Sequence, residues 1–217
     1  MTIVLTLAFA SLALFARTAV RYARTGRLSV RFARTPDAPG WVQVGAWSTV
    51  IGGGFAAGIA APAIELLGAA PTSPLAPVGP PAVRVAGAVL AALALAATLA
   101  AQGAMGASWR IDVDPDDRTA LVTGGPFALV RNPVYTAGLC WTAGIALSCP
   151  SVLSALGALA VVAGVQVQVR LVEEPHLARA HGAAYRAYAA RVGRFLPGVG
   201  RMRPASPDGA PSTLRRR

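Results

Sequence analysis

The chain has little charge, few cysteines and histidines, and no lysine. Only 13% of its 217 residues are charged, against 54% hydrophobic and a mean hydropathy of +0.53, which excludes an ordinary soluble domain and points to a membrane protein. Its two cysteines, Cys140 and Cys149, lie in or at the end of one apolar segment, without the paired spacings of a zinc site or a disulfide framework. They read as small apolar packing residues. Glu173 and His176 have the Glu-x-x-His spacing of carboxylate-bridged metal proteins, but no second copy follows, and His181 falls off the same helical face. The run IDVDPDD places Asp117 and Thr123 where a calcium loop needs Gly and Glu, so Asp112, Asp114, Asp116 and Asp117 read as a solvated loop. No metal is expected. The missing lysine, in an Ala-, Gly-, Val- and Leu-rich chain, looks like bacterial coding bias and carries no mechanism.

A net charge of +11 raises the possibility of nucleic acid, and the positions of the arginines argue against it. Six lie in 17–34, three in 110–131 and ten in 170–217, at the ends of apolar segments. Those segments, about 2–20, 42–67, 83–106, 134–149 and 151–169, predict an all-α polytopic bundle of about five transmembrane helices, the fourth of them short. The first has its arginines after the apolar run, as in an anchor with its N-terminus outside. The topology that follows puts 19 of 20 Arg inside, leaving Arg84 alone, with Glu65 the one acidic exception near the outer end of the second span. A chemical site on such a chain faces the cytoplasm.

Gly54 and Gly58 form a GxxxG that suits close helix packing. Beyond Leu171 the pattern turns amphipathic, with Leu177, Tyr185, Tyr188, Val192 and Phe195 among arginines, which predicts a helix lying at the membrane surface or folded over the inner ends of the spans. The expected organisation is 1–106 as three transmembrane helices, 107–197 as a core with a helical hairpin and a cap, and 198–217 as a disordered basic tail.

Three separated stretches carry a resemblance. GGPFALVRNPVYTAG, ending at Gly138, then LVEEPHL, then HGAAYRAYAARVGRFLP resemble the isoprenylcysteine carboxyl methyltransferase and phospholipid methyltransferase superfamily of integral membrane enzymes. The matching positions are Gly125, Pro126 and Phe127; Arg131, Asn132, Pro133, Tyr135 and Gly138; Glu173 and Glu174; and Gly182, Tyr185, Tyr188, Arg194 and Pro197. Asn132 stands where His is commoner, and His181 where an aromatic residue is usual. The resemblance covers about 102–197.

It implies a membrane S-adenosylmethionine-dependent methyltransferase whose cytoplasmic end encloses the cofactor. The residues expected at that cofactor are Gly124, Gly125, Pro126, Phe127, Val130, Arg131, Asn132, Pro133, Tyr135, Gly138, Glu173, Glu174, Tyr185 and Tyr188. Among them, Gly124-Gly125-Pro126 exposes backbone N–H groups, Arg131 meets a carboxylate, and either Glu173 or Glu174 meets an ammonium. Arg131, Asn132 and Tyr135 are the residues expected at the chemistry. The partners implied are membrane lipid and a lipophilic or small acceptor: a carboxylate, a thiol or a lipid amine. A lipophilic acceptor is expected to enter sideways near Met105 and Trp109 on the third span and Tyr135 and Leu139 on the fourth. The reading from a different class is a non-enzymatic membrane scaffold or partner subunit.

Overall fold

The structure, a computed structural model, describes residues 1–25, 38–68, 80–105 and 120–203. The acidic run at 112–117, Gly106, Trp109, most of the Pro-rich loop and the tail beyond residue 203 lie outside the described residues.

Nine α-helical stretches make up the described fold, several joined end to end through π-helical turns. α1 (Thr2–Phe9) passes through Ala10–Ala16 into α2 (Arg17–Thr25), and α3 (Gly40–Phe55) passes through Ala56–Ala60 into α4 (Ala61–Leu66). α5 (Pro81–Met105) is one straight run, α6 (Pro126–Leu129) a single turn, and α7 (Pro133–Ser148) its continuation across a break. α8 (Val152–Val167) continues through Gln168–Glu173 into α9 (Glu174–Arg191). No β-strand occurs among the described residues, which bears out an all-α bundle.

The expected spans divide into four long helices and one short one. Among the described residues, four helices are long and apolar enough to cross a membrane: Thr2–Val20, Gly40–Leu66, Pro81–Met105 and Val152–Arg191. α7 has 16 residues, about 24 Å of helix, against a hydrocarbon core of about 30 Å. Its length is set at both ends by proline. Pro133 starts it at the first helical position, and Pro150, just past the cap Cys149, prevents its continuation. The 40-residue run Val152–Arg191 is twice the ~20 residues that one span needs, so its first half accounts for the span and residues beyond about Leu171 stand outside the hydrocarbon.

Two antiparallel helix pairs hold the bundle together, and both meet through glycine. A Cβ on Gly144 of α7 would lie 2.6 Å from the Gly87 oxygen and the Ala91 nitrogen of α5. A Cβ on Gly53 of α3 would lie 2.5 Å from the Gly157 oxygen of α8, and one on Gly164 would lie 2.7 Å from the Ala46 oxygen. Backbones this close bring small residues and carbonyls into contact where lipid supplies no hydrophobic drive. Of the GxxxG pair, Gly58 packs against Thr6 of α1, whereas Gly54 has open space beside it and Gly53 makes the tight contact with α8. The two lone charges of the sequence find each other: Arg84 pairs with Glu65 at 2.6 Å, and the Cys149 thiol donates to the same carboxylate at 3.1 Å.

These contacts fix direction. Met1, Leu66, Pro81 and Ser148 share a distal end, while Thr25, Gly40, Met105, Pro133 and Glu174 share a proximal one. The N-terminal helices are not a separate unit, since α3 packs on α8 and α5 on α7. α9 does not stay straight. It leaves the bundle coaxially with α8 and breaks at Gly182 (φ 54°, ψ −125°), a conformation that an L side chain strains to adopt, so that residues 183–191 fold back over the proximal end.

The glycine contacts generate a prediction. Gly144→Ala should lower the thermal midpoint of the detergent-solubilised protein, by about 1–3 kcal/mol for an overpacked contact. Gly138→Ala, on the same helix with nothing within 4 Å of its Cβ, should be neutral or stabilising. Equal losses from the two changes would contradict this packing.

Candidate functional site

The proximal end is organised by one buried guanidinium. Arg131 sits in the break between α6 and α7, where Val130 is extended (φ −140°, ψ 149°) and Asn132-Pro133 restarts the helix. Its side chain is 1% exposed. One terminal nitrogen donates to the carbonyl oxygens of Ala189 (3.1 Å) and Val192 (2.6 Å), and the other donates to Glu174 Oε1 (2.6 Å) and the Gly200 oxygen (3.1 Å). Arg194 grips the same carboxylate through Nε to Oε1 (2.8 Å) and Nη2 to Oε2 (2.7 Å). Burial pushes the Glu174 carboxyl up, and the hydrogen bonds from Arg194 and Arg131 outweigh it, so its pKa lies below the ordinary carboxylate value. The bond to Glu174 also raises the Arg194 pKa.

This triad staples the C-terminal segment to the turn. The Arg131 and Asn132 amides donate to the Gly193 (2.8 Å) and Arg194 (3.2 Å) oxygens, and Thr136 Oγ1 donates to the Phe195 oxygen (3.0 Å). Residues 198–203 belong to the folded cap: the Gly200 oxygen accepts from Arg131, and the Met202 amide donates to Ala189 at 2.9 Å. The expectation of disorder from residue 198 is corrected accordingly. Composition there is Gly- and Arg-rich, but Gly198 (φ 76°) and Gly200 (φ 73°) supply turns that the clamp requires.

The expected site residues fall into four groups. Arg131, Asn132 and Glu174 come together, with Arg131 and Glu174 meeting each other; a guanidinium this deeply buried needs an anion from within the fold. Phe127, Val130, Pro133, Tyr185 and Tyr188 are buried beneath or beside them, with Tyr188 donating to the Phe127 oxygen at 2.6 Å. Gly124 and Gly125 are exposed at the turn before Pro126, and Gly125 (φ 57°) adopts the left-handed conformation that this turn requires. Tyr135, Glu173 and Gly138 stand apart from the clamp. The Tyr135 hydroxyl donates to Glu173 Oε1, which also accepts from Gln168 Nε2 at 3.4 Å.

Behind Tyr135 lies a cavity of about 320 Å³ bounded by α1, α3, α5, α7 and α8. Tyr135 and Gly138 line its proximal part, and Phe9, Trp141 and Ile59 line it farther along. Among the described residues that line it, none is ionisable except Tyr135. Leu7, Ile51 and Phe55 belong to this lining and are more than half exposed, so the cavity reaches the lipid-facing surface between α1 and α3. Of the residues expected at a sideways entrance between the third and fourth spans, Tyr135 lines this cavity and Trp109 lies outside the described residues. α5 and α7 are sealed against each other by Gly87 and Gly144, and Leu139 packs onto Val161, Val165 and Val169.

Sequence reasoning missed Arg194 as a site residue, and it missed Trp47, Gln102 and Gln168. Trp47 stacks at a tilt over Tyr135 with ring centroids 6.5 Å apart. A signal was present, since an amide side chain in an otherwise apolar span is conspicuous.

Residues 83–184 match the family model described as phospholipid methyltransferase, which belongs to the same superfamily as the isoprenylcysteine carboxyl methyltransferases. The match implies methyltransferase activity in general and a membrane setting. It takes in Arg131, Tyr135, Glu173 and Glu174, and it leaves out Arg194, the cap and the two N-terminal spans. No curated protein and no solved structure matches the chain.

The clamp generates a prediction about stability. Glu174→Gln removes the anion that neutralises Arg131 and should destabilise the solubilised protein by about 3–5 kcal/mol. Arg194→Gln, whose side chain is 19% exposed, should cost less. Because the Glu174 pKa is lowered, its contribution is present at neutral pH and disappears as pH falls through that lowered value. Thermal unfolding against pH, with limited proteolysis of residues 193–203, reads all three. A Glu174→Gln protein as stable as the wild type would contradict the clamp.

Proposed function

We propose that this chain, whose residues 83–184 match the phospholipid methyltransferase family, is an integral membrane methyltransferase that uses S-adenosylmethionine and takes a lipophilic acceptor from the bilayer. The observation that carries the reading is the position of Tyr135, whose ring lines the lipid-facing cavity while its hydroxyl donates to Glu173 at the proximal end. A polar cofactor and a lipophilic acceptor must meet at one point, and this residue touches both environments.

The residues at that point fit a cationic cofactor in part. Glu173 supplies a carboxylate opposite a positive ligand, and the exposed Gly124-Gly125 turn supplies backbone groups that a Cβ would not crowd. Arg131 and Glu174 serve instead as the frame that holds the turn and the cap, because each is already engaged by the protein. S-adenosylmethionine, when bound, supplies an electrophilic methyl group, which bonds to a lone pair of the acceptor as the carbon–sulfur pair returns to sulfur. Glu173 opposes the positive charge, Tyr135 orients the acceptor, and the cap with Tyr185 and Tyr188 keeps water from the proximal end. The clustering of arginines at that end supports its being cytoplasmic. A purely structural scaffold accounts for the clamp and leaves the cavity and the Tyr135–Glu173 contact without a role.

Isothermal titration of the solubilised protein with S-adenosylmethionine and S-adenosylhomocysteine tests the reading. Both should bind, and Glu173→Gln should weaken S-adenosylmethionine by about ten- to a hundredfold, the loss of one charge-assisted bond. A greater loss for S-adenosylmethionine assigns Glu173 to the sulfonium, and equal losses assign it to the ammonium. Absence of binding in the wild type, or unchanged affinity in Glu173→Gln, would overturn this assignment.

A further inference from the structure

The turn at 195–199 in the cap points into the bilayer, and its partners on α7 set that direction. The Gly193 and Arg194 oxygens accept from the Arg131 and Asn132 amides, and the Phe195 oxygen accepts from Thr136 Oγ1 at 3.0 Å, so the cap keeps pace with α7 as that helix enters the bundle. Phe195 also packs, with Tyr135 and Leu139, on Val161, Val165 and Val169, all on the bilayer side of the boundary near Leu171. There the chain reverses. The Arg194 amide donates to the Val199 oxygen at 2.7 Å and the Val199 amide to the Leu196 oxygen at 3.1 Å, after which the Gly200 oxygen is back at Arg131. Leu196, Pro197 and Gly198 therefore form the deepest point of the cap. Glycine fixes the reversal: Gly198 has a φ of 76°, and a Cβ on Gly193 would collide with the Leu196 oxygen.

What the turn presents at that depth is apolar. Leu196 is 58% exposed and Val199 60%, with Pro197 and Gly198 exposed between them. Held in this shape by the backbone, the two side chains gain by leaving water for acyl chains. The charges around them have one sign. Residues 183–203 carry Arg186, Arg191, Arg194, Arg201 and Arg203 and no Asp or Glu. Arg194 is engaged by Glu174, whereas Arg201 is exposed and lies over the tip, its guanidinium 3.5 Å from where a Cβ on Gly198 would stand. An arginine beside an apolar tip suits the headgroup level, with its stem along the chains and its charge at the phosphates.

We infer that the turn at 195–199 is a membrane anchor: Leu196 and Val199 insert among the acyl chains of the proximal leaflet, and Arg201 meets the phosphate of a phospholipid headgroup. The cap is thereby held twice, by Arg131 from within the protein and by lipid around its tip. It cannot lift from the proximal end without drawing two apolar side chains into water, so the bilayer itself favours the closed cap. The inference involves neither cofactor nor acceptor and stands apart from the function proposed above.

Spin labelling in nanodiscs of phosphatidylcholine and phosphatidylglycerol measures the depth. In a Cys140→Ser chain, whose remaining Cys149 is buried, nitroxides at Leu196→Cys and Val199→Cys should be more accessible to oxygen, which concentrates in acyl chains, than to a water-soluble nickel chelate. Val162→Cys, at an exposed position midway along α8, calibrates the bilayer, and Arg186→Cys, at an exposed position on α9, calibrates water. Nickel accessibility above oxygen accessibility at either turn position puts the tip in water, and exclusion of both reagents puts it against protein, such as a second copy of this chain; each would overturn the inference. A second measurement follows hydrogen exchange of the Met202 amide, whose bond to the Ala189 oxygen ties down the cap. In the same nanodiscs, Leu196→Asp combined with Val199→Asp should speed that exchange by about tenfold or more, as lost burial of two apolar side chains predicts. Arg201→Gln should speed it by about fivefold. Exchange unchanged by either replacement would equally overturn the anchor.

Discussion

A guanidinium that is 1% exposed has to be neutralised inside the fold, and the way Arg131 meets that requirement shapes the proximal end of the molecule. Its anion, Glu174, comes from the far side of the α7–α8 hairpin, and its terminal nitrogens also donate to carbonyls of Ala189, Val192 and Gly200. To bring those carbonyls to Arg131, α9 must reverse, which is the role of the break at Gly182. The second arginine, Arg194, completes the carboxylate's coordination and anchors the returning strand beside residues 130–132. One ion triad thus links the turn after α6, the start of α9 and the cap.

With Arg131 and Glu174 engaged in the frame, the free chemistry shifts one residue along the acidic pair and one helical turn along α7. Glu173 and Tyr135 are adjacent in sequence to the clamp yet face the bundle interior, because the helical register points neighbours in different directions. The adjacent carboxylates divide the labour: Glu174 holds the fold, and Glu173 accepts from the hydroxyl of Tyr135, whose ring lines the cavity. The cavity in turn exists because α3 and α5 are each drawn tightly to a different partner, α8 and α7, and α1 does not fill the gap left between them.

Much of this was legible in the sequence. Apolar runs located the helices, proline at 133 and 150 bounded the short one, and the Arg-Asn-Pro turn with the Glu-Glu pair located the site. What the sequence could not show was pairing in space. Glu65 and Arg84 looked like unrelated exceptions until the helices placed them together. The choice between Gly53 and Gly54 as the packing residue depends on helix rotation, which two adjacent glycines do not specify. The cap at 198–203 reads as disordered by composition, because its order derives from the Arg131 side chain and not from local propensity. The opening between α1 and α3 depends on which helices pair, which their apolar runs do not specify.

The central claim is that a lipid-phase acceptor meets the cofactor at Tyr135 through the cavity. Its most direct test follows deuterium-labelled methyl from S-adenosylmethionine, incubated with the protein in nanodiscs containing a total lipid extract, by mass spectrometry of the organic and aqueous phases. The account predicts label in the organic phase on a lipophilic product, absent when Gly138→Leu blocks the cavity although that variant still binds S-adenosylmethionine. Label confined to the aqueous phase, or equal transfer by Gly138→Leu, would contradict it.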